Sequence, residues 1–242
     1  MIIKLLLLWW EAKVLINYIY QLVSPGIFSI KYSDIDSSNK VIVRPKYMSI
    51  CHADQRYYLG QRDANILRKK LPMALIHECC GEVLSDKTNT FKKGQKVVMI
   101  PNVPGKMRKG IFENYLQDSR FLSSGYDGFM REFVELASDR LVMFEDIDER
   151  VAAISEFVSV GVHAVNRFNL ESHCYKDTIA IFGDGSLSYV VSCVLKSIYK
   201  DTKVVVVGKN INKLSYFSFV DQTYTLDRLP HDFKMDHAFE CV

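Results

Sequence analysis

The sequence predicts an α/β chain in two parts, a β-rich first half followed by an incomplete doubly wound parallel sheet. Short stretches at 40–44, 81–84 and 96–100 carry β-branched residues between glycine or polar punctuation, as half-buried strands do. From Glu149 to Phe168 the apolar residues switch to helical spacing behind an acidic front end, which marks a helical connection between the halves. Beyond it, an apolar strand at 178–182 runs into the turn Gly183-Asp184-Gly185, an apolar helix over 187–198 and a second buried-type strand at 204–207. That succession is a βαβ unit. A helix over 212–219 and short strands at 223–226 and 238–241 extend it. A six-stranded sheet of this kind needs two further strands with their helices, so the sheet reads as unfinished.

The domain reading is a leader over 1–16, a β-rich domain over 17–150 and a partial dinucleotide-type domain over 151–242. A hydrophobic content of 48% supplies ordinary cores, and a net charge of +3 with scattered lysines and arginines offers no basic stripe for nucleic acid. Six cysteines at irregular spacings, in a chain too large to need stapling, fit reduced thiols and a cytosolic setting. The opening Met1-Ile2-Ile3-Lys4 and the leucines and tryptophans to Trp10 are too short an apolar run to span a bilayer and are followed by no cleavage site. This leader reads either as translated upstream sequence, with the start at Leu15 or Ile16, or as an amphipathic, membrane-touching N-terminus.

The chemistry-bearing residues cluster at Cys51-His52-Ala53-Asp54, at His77-Glu78-Cys79-Cys80-Gly81 and at Glu156. Thiolate, imidazole and carboxylate form the three-ligand set with which a catalytic zinc keeps one position open. Each residue has an ordinary reading of its own: Cys51 as a small buried hydrophobe, His77 as a hydrogen-bonded core histidine, Glu156 as a helix-front acid set against the macrodipole. Asp54 reads as an outer hydrogen-bond acceptor for a metal ligand or as a turn cap. Only the combination points to a metal.

Five ordered segments resemble the zinc-dependent medium-chain dehydrogenases related to alcohol and sorbitol dehydrogenase. They are Ser49-Ile50-Cys51-His52-Ala53-Asp54, His77-Glu78 with Gly81 and Val83, Gly94-Gln95-Lys96-Val97-Val98, Asp127-Gly128-Phe129-Met130-Arg131-Glu132-Phe133, and Glu156 through His163-Ala164. More narrowly, Arg44-Pro45 with Tyr47-Met48-Ser49, Asp54-Gln55-Arg56-Tyr57-Tyr58, Lys70-Leu71-Pro72-Met73 and Asp236-His237-Ala238-Phe239-Glu240-Cys241 resemble the ribulose-5-phosphate reductases. The resemblance implies a GroES-like catalytic domain followed by a Rossmann-type domain. It implies one catalytic zinc on Cys51, His77 and Glu156, with Glu78 as a fourth or exchanging ligand, these four forming the catalytic set. It also implies a homodimer, the substrate ribulose 5-phosphate, ribitol 5-phosphate for bacterial wall polymers as product, and a cytidylyltransferase as partner.

Two departures from the family pattern matter. Ala53 stands where alcohol dehydrogenases carry a hydroxyl residue of the proton relay, so water or a substrate hydroxyl must carry that proton. The lobe that often holds a four-cysteine structural zinc falls between Asn102 and Tyr126 and contains no cysteine, so no structural zinc is expected. Against an active enzyme stands the early ending of the sheet at Glu240-Cys241-Val242, which also fits a catalytically inactive remnant.

For the cofactor, Gly183 and Gly185 before a helix opened by Ser186 and Leu187 offer backbone N–H groups to a pyrophosphate, with Ser188 at the third glycine position. The end of the second strand reads Gly208-Lys209-Asn210, with Lys213 following, where an NAD site usually has an acid. Lys209 and Lys213 can pair with a 2′-phosphate, which favours NADPH; the plain alternative is a solvated loop lysine. Arg56 and Arg62, flanking Tyr57-Tyr58, are the candidates for the substrate phosphate because a guanidinium fork suits it.

Overall fold

The computed structural model describes residues 16–35 and 39–242, so the leader readings over 1–15 lie outside the described residues. The chain divides into two compact units, Met1–Glu156 and Phe157–Val242. The first holds strands β1 (Ile16–Ser24), β2 (Ile27–Asp34) and β3 (Val41–Ser49), helices α1 (His52–Tyr58) and α2 (Ala64–Lys70), and strands β4 (Met73–Ala74), β5 (Glu78–Asp86) and β6 (Lys96–Met99). It continues through β7 (Asn102–Val103), β8 (Arg120–Phe121), β9 (Val134–Leu136) and β10 (Leu141–Met143) to the short helix α3 (Glu149–Ala152). Helix α4 (Ser155–Glu171) carries the unit boundary.

A five-stranded antiparallel sheet in the order β10-β6-β5-β3-β9 forms the body of the first unit, and β2-β1-β4 forms a second sheet. Phe129, Leu22, Met73, Met99, Val41 and Val83 are fully buried around it. Strand β3 runs further than the 40–44 the sequence predicts, through Pro45, because the ladder with β5 is irregular between Pro45 and Tyr47. A proline is tolerated in a strand where a bulge relieves it of a ladder hydrogen bond.

The segment 127–130 lies against residues 74–76: Gly128 N donates to Ala74 O at 2.8 Å, Phe129 N to Ile76 O at 2.7 Å and Met130 N to Leu75 O at 3.1 Å. A side chain at Gly128 would strike Ile76 O and lie 2.5 Å from Leu75 O. This contact shapes the chain just ahead of His77. The cysteine-free lobe is closed by the β7–β8 pair and by Arg140, which forks onto Glu113 at 2.6 and 3.1 Å and reaches Asn102 O at 3.4 Å.

In the second unit, β11 (Thr178–Phe182), helix α5 (Ser186–Ile198), β12 (Lys203–Gly208), helix α6 (Ile211–Leu214), β13 (Gln222–Thr225) and β14 (His237–Glu240) build a parallel sheet in the order β13-β12-β11-β14. Numbered by appearance, that is the 3-2-1-4 arrangement of a doubly wound dinucleotide fold. Ile179, Ile181, Val204 and Val206 form its core with Val191 and Leu195 of α5. Gly161 of α4 lets α5 approach, since a Cβ there would come within 2.6 Å of Val190 Cγ1.

Two helices differ from expectation. The helical connection read from Glu149 to Phe168 is two helices, parted at Ala153-Ile154, where buried Ala152 and Ala153 pack against Cys80 and turn the chain. The helix foreseen over 212–219 stops at Leu214, because the chain beyond it closes through three-residue turns, Phe217 N to Leu214 O and Val220 N to Phe217 O, that bury Phe217. No helix among the described residues is long and apolar enough to cross a membrane.

Gly128→Ala is expected to destabilise the first unit by about 1–3 kcal/mol through overpacking against carbonyl oxygens. Gly26→Ala, where φ is 75° and a Cβ meets nothing within 4 Å, should cost about 1 kcal/mol, from the backbone alone. Urea unfolding followed by far-ultraviolet circular dichroism would rank the two; equal losses would deny the steric role of Gly128.

Candidate functional site

Cys51 follows β3 and is the N-cap of α1, with Asp54 N and Gln55 N donating to its carbonyl at 3.0 and 3.2 Å. Asp54, at the third helical position, accepts from Cys51 N at 3.1 Å through Oδ2, the returning half of a capping box. His77 and Glu78 lie at the start of β5, and the register pairs Glu78 with Ser49 at the end of β3. Cys51 is thereby brought beside both. One ligand atom from each of Cys51, His77 and Glu78 lies within 4.8 Å of the other two.

The turn into His77 is strained. Ile76 has φ of 73°, a region that β-branched residues rarely enter. Its N–H donates to Asp54 Oδ1 at 3.0 Å and its carbonyl accepts from Phe129 N, so the surroundings fix the conformation from both sides. His77 is buried, its ring edge-on to Phe121 at 5.4 Å.

The electrostatics of the cluster are those of an acidic excess. Burial pushes the Cys51 thiol up, and the carboxylates of Glu78, Asp54 and Glu156 push it further. Burial likewise raises the Glu156 carboxyl, opposed by His77 and reinforced by Glu78 and Asp54. Nδ1 of His77 is buried without a hydrogen-bond partner and stands 3.8 Å from Asp54 Oδ2. A soft thiol, an imidazole and carboxylates, with the Cys51 thiol and the Glu156 carboxyl both raised by burial and by their acidic neighbours, are a donor set that a divalent cation would satisfy. Glu156 stands outside the three-residue set, though close enough for its charge to act on Cys51.

The second unit carries the glycine turn. Gly183 has φ of 134°, and a Cβ there would meet Cys241 O at 2.6 Å and Ser188 Oγ at 2.7 Å. Gly185, the N-cap of α5, has nothing within 4 Å of its Cβ position, so the helix N-terminus behind it, opened by Ser186 and Leu187, is approachable. A cavity of about 450 Å³ is lined here by Gly183, Asp184, Gly185, Lys209, Glu240 and their neighbours at the carboxyl ends of β11, β12 and β14. This is the switch point at which doubly wound sheets bind ligands. Asp184, which motif reading passed over, accepts from Asn210 N at 2.7 Å and Lys209 N at 2.8 Å. Those two donors, the Asn210 bond foremost, hold its carboxyl below the usual range. Lys213 Nζ lies 3.8 Å from its other oxygen.

The two arginines assigned to a substrate phosphate stand differently. Arg56 Nε donates to Gln61 O at 3.3 Å, whereas Arg62 lies 4.9 Å over the Tyr57 ring with Nε buried and unpartnered. A separate, largely apolar cavity of about 580 Å³ opens beside Asp54 and Ile76, lined also by Phe28, Met48, Tyr58 and Met130. All six cysteines are free thiols.

Residues 37–146 match the alcohol dehydrogenase GroES-like domain. The chain is 51% identical over 234 residues to a ribulose-5-phosphate reductase of Streptococcus pneumoniae, covering 96% of this chain and 68% of that protein. It is likewise 51% identical to ribulose-5-phosphate reductase 2 of Staphylococcus aureus, covering 94% of this chain and 67% of the relative. Among solved structures, S. aureus TarJ in complex with NADPH superimposes with a TM-score of 0.79 at 44% identity, covering 94% of this chain and 65% of that one. L-idonate 5-dehydrogenase of Escherichia coli gives 0.82 at 21% identity, covering 93% and 69%, a likeness of fold alone. This chain thus spans about two thirds of the length of the relatives it matches. Its ordered motifs, its two-unit α/β architecture and these identities agree: the chain belongs to the family of the ribulose-5-phosphate reductases, built on the alcohol dehydrogenase GroES-like domain.

Proposed function

We propose that this chain reduces ribulose 5-phosphate to ribitol 5-phosphate with NADPH and one zinc ion. The observation that carries the reading is the cluster of half-buried Cys51 with buried His77 and Glu78, whose ligand atoms lie within 4.8 Å of one another in an acidic surrounding. Identity of 51% to ribulose-5-phosphate reductases supports the substrate, and the NADPH held by TarJ supports the cofactor. When bound, zinc would supply a Lewis acid for the ketone oxygen and the nicotinamide a hydride.

The chain's own residues would do the rest. Cys51 and His77 hold the metal, with the carboxylate of Glu78 or Glu156 completing the set. Asp54 Oδ2 faces the buried His77 Nδ1 at 3.8 Å, and a proton on that nitrogen would leave Nε2 to coordinate. Ala53 offers no hydroxyl, so the product oxygen takes its proton from water or from a substrate hydroxyl. Gly183, Gly185, Ser186 and Leu187 cradle the pyrophosphate on the helix N-terminus. Lys209 and Lys213 attract the 2′-phosphate, while Oδ2 of Asp184 is taken by two backbone N–H groups and its Oδ1 lies 3.8 Å from Lys213 Nζ. Arg56 and Arg62 are the substrate-phosphate residues of this reading. The same reading carries a homodimer, a cytosolic setting and a cytidylyltransferase that takes up the product for wall polymers.

The purified chain is expected to oxidise NADPH when given ribulose 5-phosphate and to stop on zinc chelation. Cys51→Ser and His77→Ala should each lower kcat/KM roughly a thousandfold, in line with the several kcal/mol a metal supplies to developing charge. Elemental analysis should fall from one zinc per chain in the same variants. Undiminished turnover in metal-free protein would sink the metal assignment, and bound zinc and NADPH with no turnover would sink the substrate.

Lys209→Ala should weaken NADPH roughly tenfold or more, the worth of a hydrogen bond to a charged group, while leaving NADH within about twofold. Equal losses for both dinucleotides, measured by quenching of nicotinamide fluorescence, would show that Lys209 does not read the 2′-phosphate.

A further inference from the structure

We propose that Ser123 is a positioning residue for the metal ligands, acting through Asp54 from inside the cysteine-free lobe. The inference rests on the zinc reading of Cys51, His77 and Glu78. Asp54 is 2% exposed and Ser123 is 4% exposed, so neither group has water as an alternative partner of consequence. Ser123 Oγ donates to Asp54 Oδ1 at 2.9 Å across 69 residues of sequence.

A carboxylate has about four lone-pair sites. On Oδ1 they are taken by Ile76 N at 3.0 Å and by the Ser123 hydroxyl. On Oδ2 one is taken by Cys51 N at 3.1 Å, which leaves the other for His77 Nδ1 at 3.8 Å. The Ser123 hydroxyl therefore adds a third anchor to the two backbone donors that aim Oδ2 at the histidine. Without the hydroxyl, Oδ1 keeps a single donor, and the plane of the carboxylate is held less firmly against Nδ1.

The lobe is shaped to deliver this hydroxyl. Ser123 sits at φ of 65°, a left-handed conformation in which its N–H donates to Tyr126 O at 2.9 Å. Phe121, two residues earlier, contacts the His77 ring edge-on at 5.4 Å. The lobe thus touches the histidine once by its ring and once through Asp54. Next to it, Ser124 faces elsewhere and accepts from Lys70 Nζ at 2.7 Å, which makes it a control in the same loop.

The test is zinc affinity of the full chain, measured by competition with a chromophoric chelator, for wild type and for Ser123→Ala, Ser123→Gly and Ser124→Ala. Glycine at 123 removes the hydroxyl while favouring the positive φ, so it separates the hydrogen bond from backbone strain. Both Ser123 variants should bind zinc about tenfold more weakly, the lower end for loss of an outer hydrogen-bond partner, and Ser124→Ala should stay within about twofold. The visible bands of the cobalt-substituted protein should move in the Ser123 variants alone. Unchanged zinc affinity in both Ser123 variants overturns the proposal, as does an equal loss in Ser124→Ala, which would mark a general effect of the loop. Absence of zinc binding in the wild type would instead overturn the metal reading beneath it.

Discussion

The carboxylate of Asp54 is the constraint on which the candidate metal centre depends, because it joins three pieces of chain that are far apart in sequence. It takes the backbone N–H of Cys51, the backbone N–H of the strained Ile76 and the hydroxyl of Ser123. A carboxylate buried to this degree would cost several kcal/mol if unpaired, and three donors offset that cost. In return, the end of β3, the turn into β5 and the lobe over 102–126 are fixed relative to one another. The thiol and the imidazole are carried on the first two of these pieces.

The backbone around this carboxylate is equally restricted. Ile76 holds a positive φ only because segment 127–130 closes on it from the opposite side, and that segment reaches it only because position 128 carries no side chain. Strain of this kind persists where the surroundings over-determine it. The glycine of the Asp127-Gly128-Phe129 motif is thus linked to His77 by packing, through the carbonyls of Leu75 and Ile76. The lobe that carries Ser123 is tied down by Arg140 on Glu113 and by a two-strand pair in place of any cysteine cluster.

The second unit solves a similar problem with a similar device. The carboxylate of Asp184 takes the N–H groups of Lys209 and Asn210, fixing the loop after β12 against the glycine turn after β11. Gly208 permits the approach, since a Cβ there would lie 2.7 Å from Asp184 Cβ. In both units an aspartate satisfies the backbone of a neighbouring piece of chain, and the functional side chains ride on the pieces so joined. A hydrogen-bonded carboxylate is suited to this because it accepts from several directions at once.

The sequence by itself determined the two-part α/β class, the βαβ unit and the identity of the metal-type side chains. Period, glycine punctuation and residue chemistry are local properties that can be read along the chain. It also carried Asp54, though only as one of two readings, since a capping acid and an outer partner of a ligand look alike three residues after a cysteine. Helix ends at 153–154 and at 214 were not legible, because burial of Ala152, Ala153 and Phe217 overrode helical spacing. Ser123 and Asp184 carried no signal beyond being small polar residues near turns. What only the tertiary structure decided was which oxygen of Asp54 meets which donor, and that an aspartate inside the glycine turn is committed to the neighbouring loop. Those pairings join residues up to 69 positions apart, and no local pattern in a chain specifies a hydrogen bond whose two ends are brought together by packing alone.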